Sequence, residues 1–206
     1  MKNLKGLVII VSSPSGAGKT TVTRKILQKF KNSYLSVSCT TRKPRPGEKN
    51  GKDYFFISKE EFTSLKKKNK FIESAKVYDH YYGTLKSEII KANKNKIVLL
   101  DVDWQGARIL RKKLRKNHYS IFLLPPSFSA LKKRLLKRHS DNRKTAINRF
   151  SLATKDLKHW REYDYVFINS NLNTCVKKIY KKIFQIIEEK KHFLELLKLT
   201  KKLKIK

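Results

Sequence analysis

Two cysteines, one methionine, five prolines and seven glycines are all that the 206 residues hold of those types. Two distant thiols, Cys39 and Cys175, make no disulfide framework, which excludes a stapled secreted scaffold. So little glycine and proline excludes a collagen-like chain and a Pro/Gly-rich low-complexity one. Long apolar runs are also missing. Stretches such as Leu7-Val-Ile-Ile-Val11 hold five residues, against the ~18 of a membrane span. Lys2 and Lys5 precede that run as in a signal peptide, but it falls short of the ~7–15 residues of an apolar signal core, and Ser12-Ser-Pro-Ser-Gly16 follows at once. The chain is therefore expected to be unprocessed, cytoplasmic and reduced, with no membrane partner. Negative charge is scarce as well: sixteen Asp and Glu face fifty Lys and Arg, for a formal charge of +34.

What is present is core material. At 39% hydrophobic and 11% aromatic, the chain is long enough for one domain, or for a compact core with sub-domains. The charge admits two readings. One is a nucleic-acid binder, whose cations release counterions from a phosphate backbone. The other is a lysine-biased, solvated surface. The bias is towards Lys and not towards Arg, the residue of base and phosphate forks, and no recognisable reader module accompanies it. No specific nucleic-acid partner is expected.

The buried runs alternate with helical stretches. Leu7 to Val11 reads as a strand covered on both faces. Val22, Ile26, Leu27 and Phe30 recur at helical spacing behind a Ser/Pro/Gly turn. Residues 36–58 read as short strands around a turn-rich centre, and Ser58-Lys-Glu-Glu61 as a capping box opening a short helix through Leu65. Ile97–Val102, Ser120–Pro125 and Tyr165–Ile168 are three further strands. Ser127 caps a helix running to Arg138 within a basic helical stretch to residue 158, and one long helix starts at Thr174. The expected class is α/β, with a parallel sheet between helical layers.

Ser13-Pro-Ser-Gly-Ala-Gly-Lys-Thr20 stands between the first strand and the first helix. Apart from Ser13 at the first glycine position, it matches the phosphate-loop pattern. Glycines let successive N–H groups turn onto a phosphate, and the following helix adds its positive end. Lys19 then reaches the β- and γ-phosphates, and the Thr20 hydroxyl serves Mg²⁺. Asp101, at the end of a buried strand, is placed to hold the same ion through water.

Further blocks follow in order: Ser36-Val-Ser-Cys-Thr-Thr-Arg-Lys-Pro-Arg-Pro-Gly-Glu48, Gly51-Lys-Asp-Tyr-Phe-Phe56, Phe71-Ile-Glu73, Tyr81-Tyr-Gly-Thr84 and Leu100-Asp-Val-Asp-Trp-Gln-Gly106. In sequence and spacing they resemble the guanylate kinases, from about Gly6 to the last helix. The resemblance implies a P-loop NTPase three-layer fold: core segments 1–36, 93–127 and 159–206, a mixed α/β GMP-binding insertion over 37–92, and a mobile helical lid over 128–158. It implies ATP and GMP or dGMP as substrates and Mg²⁺ as cofactor. ATP would be bound by Ser13, Pro14, Ser15, Gly16, Ala17, Gly18, Lys19, Thr20, Thr21 and Asn169. GMP would be bound by Ser38, Arg42, Arg45, Tyr54, Glu73, Tyr82, Thr84 and Asp103, with Asp103 facing either the guanine edge or the metal.

Glu73 carries the base choice. Guanine offers N1–H and N2–H₂ side by side, and one carboxylate accepts both; adenine has no such donor pair. The resemblance makes Lys19, Arg134, Arg138 and Arg149 the catalytic cations. The chain departs from the family at Asn169-Ser-Asn171 and in the middle of the lid, where acids are usual. A non-catalytic guanylate-kinase-like binding module is the rival reading, but such modules lose the lysine and arginines kept here. His80 is the histidine nearest these blocks, with a surface or packing role. The sequence leaves both a monomer and a homo-oligomer open.

Overall fold

The computed structural model describes residues 6–77, 79–91, 97–115, 118–137 and 143–202. The apolar runs become the strands of one parallel sheet. Strand β1 (Leu7–Ser12) is wholly buried. It lies between β7 (Ile97–Asp101), in register Leu7↔Ile97, and β8 (Tyr119–Leu124), in register Ile9↔Tyr119. Outside these lie β2 (Ser33–Leu35) on β7 and β9 (Tyr165–Ile168) on β8, giving the order β2-β7-β1-β8-β9.

Alternation splits the strand side chains into two cores. Leu7, Ile9, Val11, Leu99, Ile121 and Leu123 pack on Val22 and Ile26 of α1 (Lys19–Lys29) and on Val176, Ile179, Ile183 and Ile186 of α7 (Leu172–Lys202). Val8, Ile10, Val98, Leu100 and Phe122 pack on Ala107, Leu110 and Leu114 of α4 (Trp104–Leu114). Both faces are covered, which is why these strands read as unbroken apolar runs.

Residues between β2 and β7 build a second sheet, β4-β3-β6-β5. It comprises β3 (Cys39–Thr40), β4 (Phe55–Phe56), β5 (Phe71–Val77) and β6 (His80–Leu85), with helices α2 (Lys59–Lys67) and α3 (Lys86–Ile90) beside it. Its own small core stacks Phe62 on Phe71 and Tyr81, at ring separations of 4.6 and 5.4 Å. Ser58 caps α2 by accepting from Glu61 N, as the capping box requires. Cys39 lies in this core, and burial together with Glu61 and Glu88 pushes its thiol up to about 12. A thiol so protonated at neutral pH is no nucleophile.

Helix α5 (Phe128–Leu136) is capped by Ser127 and meets α6 (Arg143–Asp156) through Leu131, Leu135 and Ala153. It ends two residues short of Arg138, which lies outside the described residues, as does the middle of the expected lid. A 3₁₀ turn (Leu157–Glu162) links α6 to β9. Helix α7 begins at Leu172 and not at Thr174, because Asn171 Oδ1 accepts from Thr174 N at 3.0 Å and caps it. Among the described residues no helix is long and apolar enough to cross a membrane.

Candidate active site

The phosphate loop leaves the C-terminal end of β1, where open α/β sheets bind their ligands. Gly18 caps α1 with φ +95°, a conformation costly for any residue with a Cβ. A Cβ there would also lie 2.5 Å from Asn169 Nδ2. Gly16 (φ +88°) faces Leu131 and Leu135, so α5 packs directly on the loop. Ser13, at the first glycine position, donates to Pro14 O at 2.9 Å. Lys19 opens α1 and forms an ion pair with Asp101 at the end of β7. Thr20 and Thr21 stand exposed on the first turn of the helix.

At the other end of the same hollow a buried polar chain is assembled. Ser38 Oγ lies 3.3 Å from Thr84 Oγ1, which donates to Glu73 Oε1 at 2.6 Å. Strand β5 changes register between Phe71 and Glu73, and such irregularities re-aim side chains at sites. Burial raises the Glu73 carboxyl to about 7, against the relief that the Thr84 hydroxyl supplies. Asp103 caps α4 by accepting from Gly106 N at 2.9 Å, and burial raises it too.

Arg42 and Arg45 flank the turn after β3. The Arg42 guanidinium donates through Nη2 to both Glu48 oxygens at 2.9 Å and lies 5.5 Å from the Tyr54 ring. Tyr54 in turn meets Tyr82 edge-on at 6.0 Å. Burial raises the Tyr54 phenol, which keeps it a proton donor.

These groups line one cavity of about 650 Å³. On its wall stand the loop residues Ser13 to Gly16 and Gly18 to Thr21, together with Asp101. Ser38, Arg42, Arg45, Tyr54, Glu73, Tyr82, Asp103 and Arg149 join them. Thr84 lies behind Glu73. Three expected residues stand apart. Asn169 is buried and donates to Ala17 O at 2.8 Å; Arg134 donates to Asn169 O at 2.8 Å and reaches Ala17 O at 3.5 Å. Asn169 and Arg134 thus brace the loop at its Ala17 carbonyl, and none of the three is among the residues lining the cavity. His80, the histidine expected nearest these blocks, also lines it.

Sequence reading missed Asn148, Leu152 and Asp156, which share the wall with Arg149. Their spacing places all four within a ~100° arc of helix α6, a signal that was available once Arg149 was singled out. It also missed Gly106. Helix propensity favours Ala there by ~1 kcal/mol, yet a Cβ would lie 2.7 Å from Glu73 Oε2. On the GMP-binding role that the resemblance gives Glu73, Gly106→Ala should raise the KM for GMP by about 10–100-fold, the loss of one hydrogen bond to a charged group, with kcat little changed. Steady-state kinetics of the variant checks this; an unaltered KM would show that Glu73 yields freely.

Thr20 and Asp101 offer hard oxygens, the donor chemistry that suits Mg²⁺ with phosphate oxygens and water. Among the described residues no cluster of three His, Cys, Asp or Glu forms an all-protein metal cage.

The guanylate kinase family model matches residues 5–188. The guanylate kinase of Rickettsia bellii is 44% identical over 186 residues, covering 90% of this chain and 97% of that protein. That of Wolbachia pipientis is 46% identical over 177 residues, covering 85% and 88%. The crystal structure of the Anaplasma phagocytophilum guanylate kinase superposes with a TM-score of 0.74 at 34% identity, over 87% of this chain and 85% of that one. With a phosphate loop and a buried carboxylate facing each other across one hollow, and with relatives matched over nearly their whole length, the chain belongs to the guanylate kinase family.

Proposed function

We propose that this protein transfers the γ-phosphoryl group of ATP to GMP or dGMP, forming ADP and GDP or dGDP, with Mg²⁺ as the required ion. The reaction serves purine nucleotide metabolism and GMP recycling, in the cytoplasm. The observation that carries this reading is the shared cavity: Lys19 on the loop at one end, and Glu73, with its Thr84 and Ser38 partners, at the other.

In the step, the bond from the γ-phosphorus to the bridging β-oxygen breaks and a GMP phosphate oxygen takes its place. That oxygen is already anionic, so no general base is needed. Catalysis is positioning plus charge neutralisation. Arg42, Arg45, Tyr54 and Tyr82 hold the acceptor phosphate; the arginines supply charge-assisted forks and the phenols donate. Glu73 accepts the guanine donor pair, with Ser38, Thr84 and Asp103 beside it. Lys19 and Arg149 neutralise the charge that develops on the transferred group, and Arg138 joins them from the segment outside the described residues. Arg134 and Asn169 contribute by holding the Ala17 carbonyl, and with it the shape of the loop. Mg²⁺, held by Thr20 and through water by Asp101, would neutralise phosphate charge when bound.

An acceptor panel tests the reading. ADP should form with GMP and dGMP and hardly at all with AMP, CMP or dTMP, and EDTA should stop the reaction until Mg²⁺ is restored. Equal rates with AMP would overturn the base-reading role of Glu73; turnover in EDTA would overturn the metal requirement.

A further inference from the structure

The chain makes a tight turn at the second of the two arginines assigned to the acceptor phosphate. Arg45-Pro-Gly-Glu48 has proline in its second place and glycine, with φ +81°, in its third, the pattern of a type II turn. Glu48 N donates to Arg45 O at 3.0 Å and closes it. The Glu48 carboxylate is thereby brought back over the start of the turn. Its Oε2 accepts from Arg45 N at 2.7 Å, and both of its oxygens accept from Arg42 Nη2 at 2.9 Å. Arg42 Nη1 donates to Lys43 O at 2.6 Å, and the guanidinium lies 5.5 and 5.7 Å from the Tyr54 and Phe56 rings. That leaves Arg42 Nε, which is buried and has no partner among the described residues.

Arg42 and Arg45 line the cavity, and Glu48 is not among the residues that do. A carboxylate this close to the seat of a phosphate repels it, so its presence calls for a compensating gain. A free arginine side chain carries about 2 kcal/mol of rotamer entropy, and fixing it before the ligand arrives removes that cost from binding. A buried donor left unpaired is rare and calls for an acceptor. We propose that Glu48 is a positioning residue for the acceptor phosphate. It holds Arg42 by one terminal nitrogen and the turn by Arg45 N, and so keeps the Nε–H of Arg42 as the donor that the phosphate takes. This rests on the acceptor role proposed for the two arginines. Glu48 touches no reacting atom; it acts through Arg42.

GMP and guanosine differ only in the phosphate, and calorimetry with both tests the proposal. Glu48→Ala should weaken GMP by about 10–100-fold, the range for one hydrogen bond to a charged group, and guanosine by less than about twofold. Glu48→Gln keeps the size of the side chain but loses its charge and one acceptor. It should weaken GMP by about 3–10-fold and again spare guanosine. In an Arg42→Ala background, Glu48→Ala should cost GMP nothing further, since both changes remove one contribution. A role in holding the fold alone would instead weaken both ligands, or multiply with the loss in R42A. Equal losses for the two ligands, multiplied losses in the double variant, or GMP bound by E48A as tightly as by the parent would overturn the proposal. If E48A fails to fold, E48Q carries the same comparison. A parent that binds GMP no more tightly than guanosine would strike the acceptor role of the arginines, and this proposal with it, while leaving the acceptor panel to judge the reaction.

Discussion

Lys19→Met should lower kcat on the order of 10³-fold or more, the range for removing a fixed charge from a developing phosphoryl or oxyanion centre. Methionine nearly matches lysine in length, so the packing of α1 against β1 survives while the ammonium is lost. Lys19 begins the helix whose positive end faces the cavity and is paired with Asp101. The ammonium and the partial positive charge of the helix end therefore converge at the loop end of the cavity, where the proposed function seats the γ-phosphate. The guanine end, built on Glu73, Thr84 and Ser38, is untouched by the change. Binding of GMP, measured by calorimetry, should accordingly stay close to that of the parent. A thermal melt near the parent value separates lost chemistry from lost fold. Turnover retained in K19M would overturn the phosphate-loop assignment.

Glu73→Gln is expected to invert base preference. Gln presents one acceptor and one donor, which fits the N1 acceptor and N6–H₂ donor of adenine and confronts guanine N1–H or N2–H₂ with a donor. Buried, mismatched donors are where sites reject most strongly. We expect kcat/KM for GMP to fall by on the order of 10²–10³-fold and the GMP-to-AMP ratio to fall further. An unaltered ratio would sink the role given to Glu73.

The same residue makes stability and affinity oppose each other. Its carboxyl titrates at about 7 in the fold, against 4.5 for an ordinary Glu. The native state therefore holds a proton that the unfolded chain releases between those values, and stability falls as pH rises through that window. Above pH 7 the cost levels off at on the order of 3 kcal/mol. E73Q removes it, so the variant should unfold at higher urea than the parent at pH 8 and at nearly the same urea at pH 4.5. Guanosine, which has no phosphate to titrate, should bind the parent more tightly as pH rises through about 7, because only the ionised carboxylate accepts both donors. The Gln variant should show no such dependence.

Most of the main sheet was legible because its strands are buried on both faces, which leaves runs such as Ile97–Asp101 that no amphipathic helix would show. Strand β2 was not: its three residues, Ser33–Leu35, are all half-exposed at the sheet edge. The β5–β6 hairpin escaped for a different reason. One face packs on Phe62 while the other lines the cavity, so polar and apolar residues are mixed by function and not by solvent. In the site, the motifs named many of the residues that line the cavity. They could not show that Arg134 turns to Ala17 O and Asn169 O, because α5 carries Lys132, Lys133 and Arg134 in a row and only packing decides which way each points. The +34 charge is likewise resolved by placement: Lys19, Arg42, Arg45 and Arg149 line the cavity, and a solvated surface accounts for most of the lysines.

Strands β2 and β7 lie side by side, with Ser33 opposite Ile97 and Ser36 N bonded to Leu99 O at 2.9 Å. The acceptor sheet therefore leaves the core and returns to it at adjoining points, like a loop with its own hydrophobic centre. Closing such an excursion costs entropy that grows only as the logarithm of its length, so its loops can lengthen or shorten at small entropic cost, while Ile72 and Ile89 keep it packed on the α4 side of the core. On the proposed function, most of the acceptor reader, Ser38, Glu73 and Thr84, is inherited in one piece, while α4 of the core adds Asp103 and Gly106 beside it. A lineage could revise which nucleotide it phosphorylates largely within one contiguous stretch of gene.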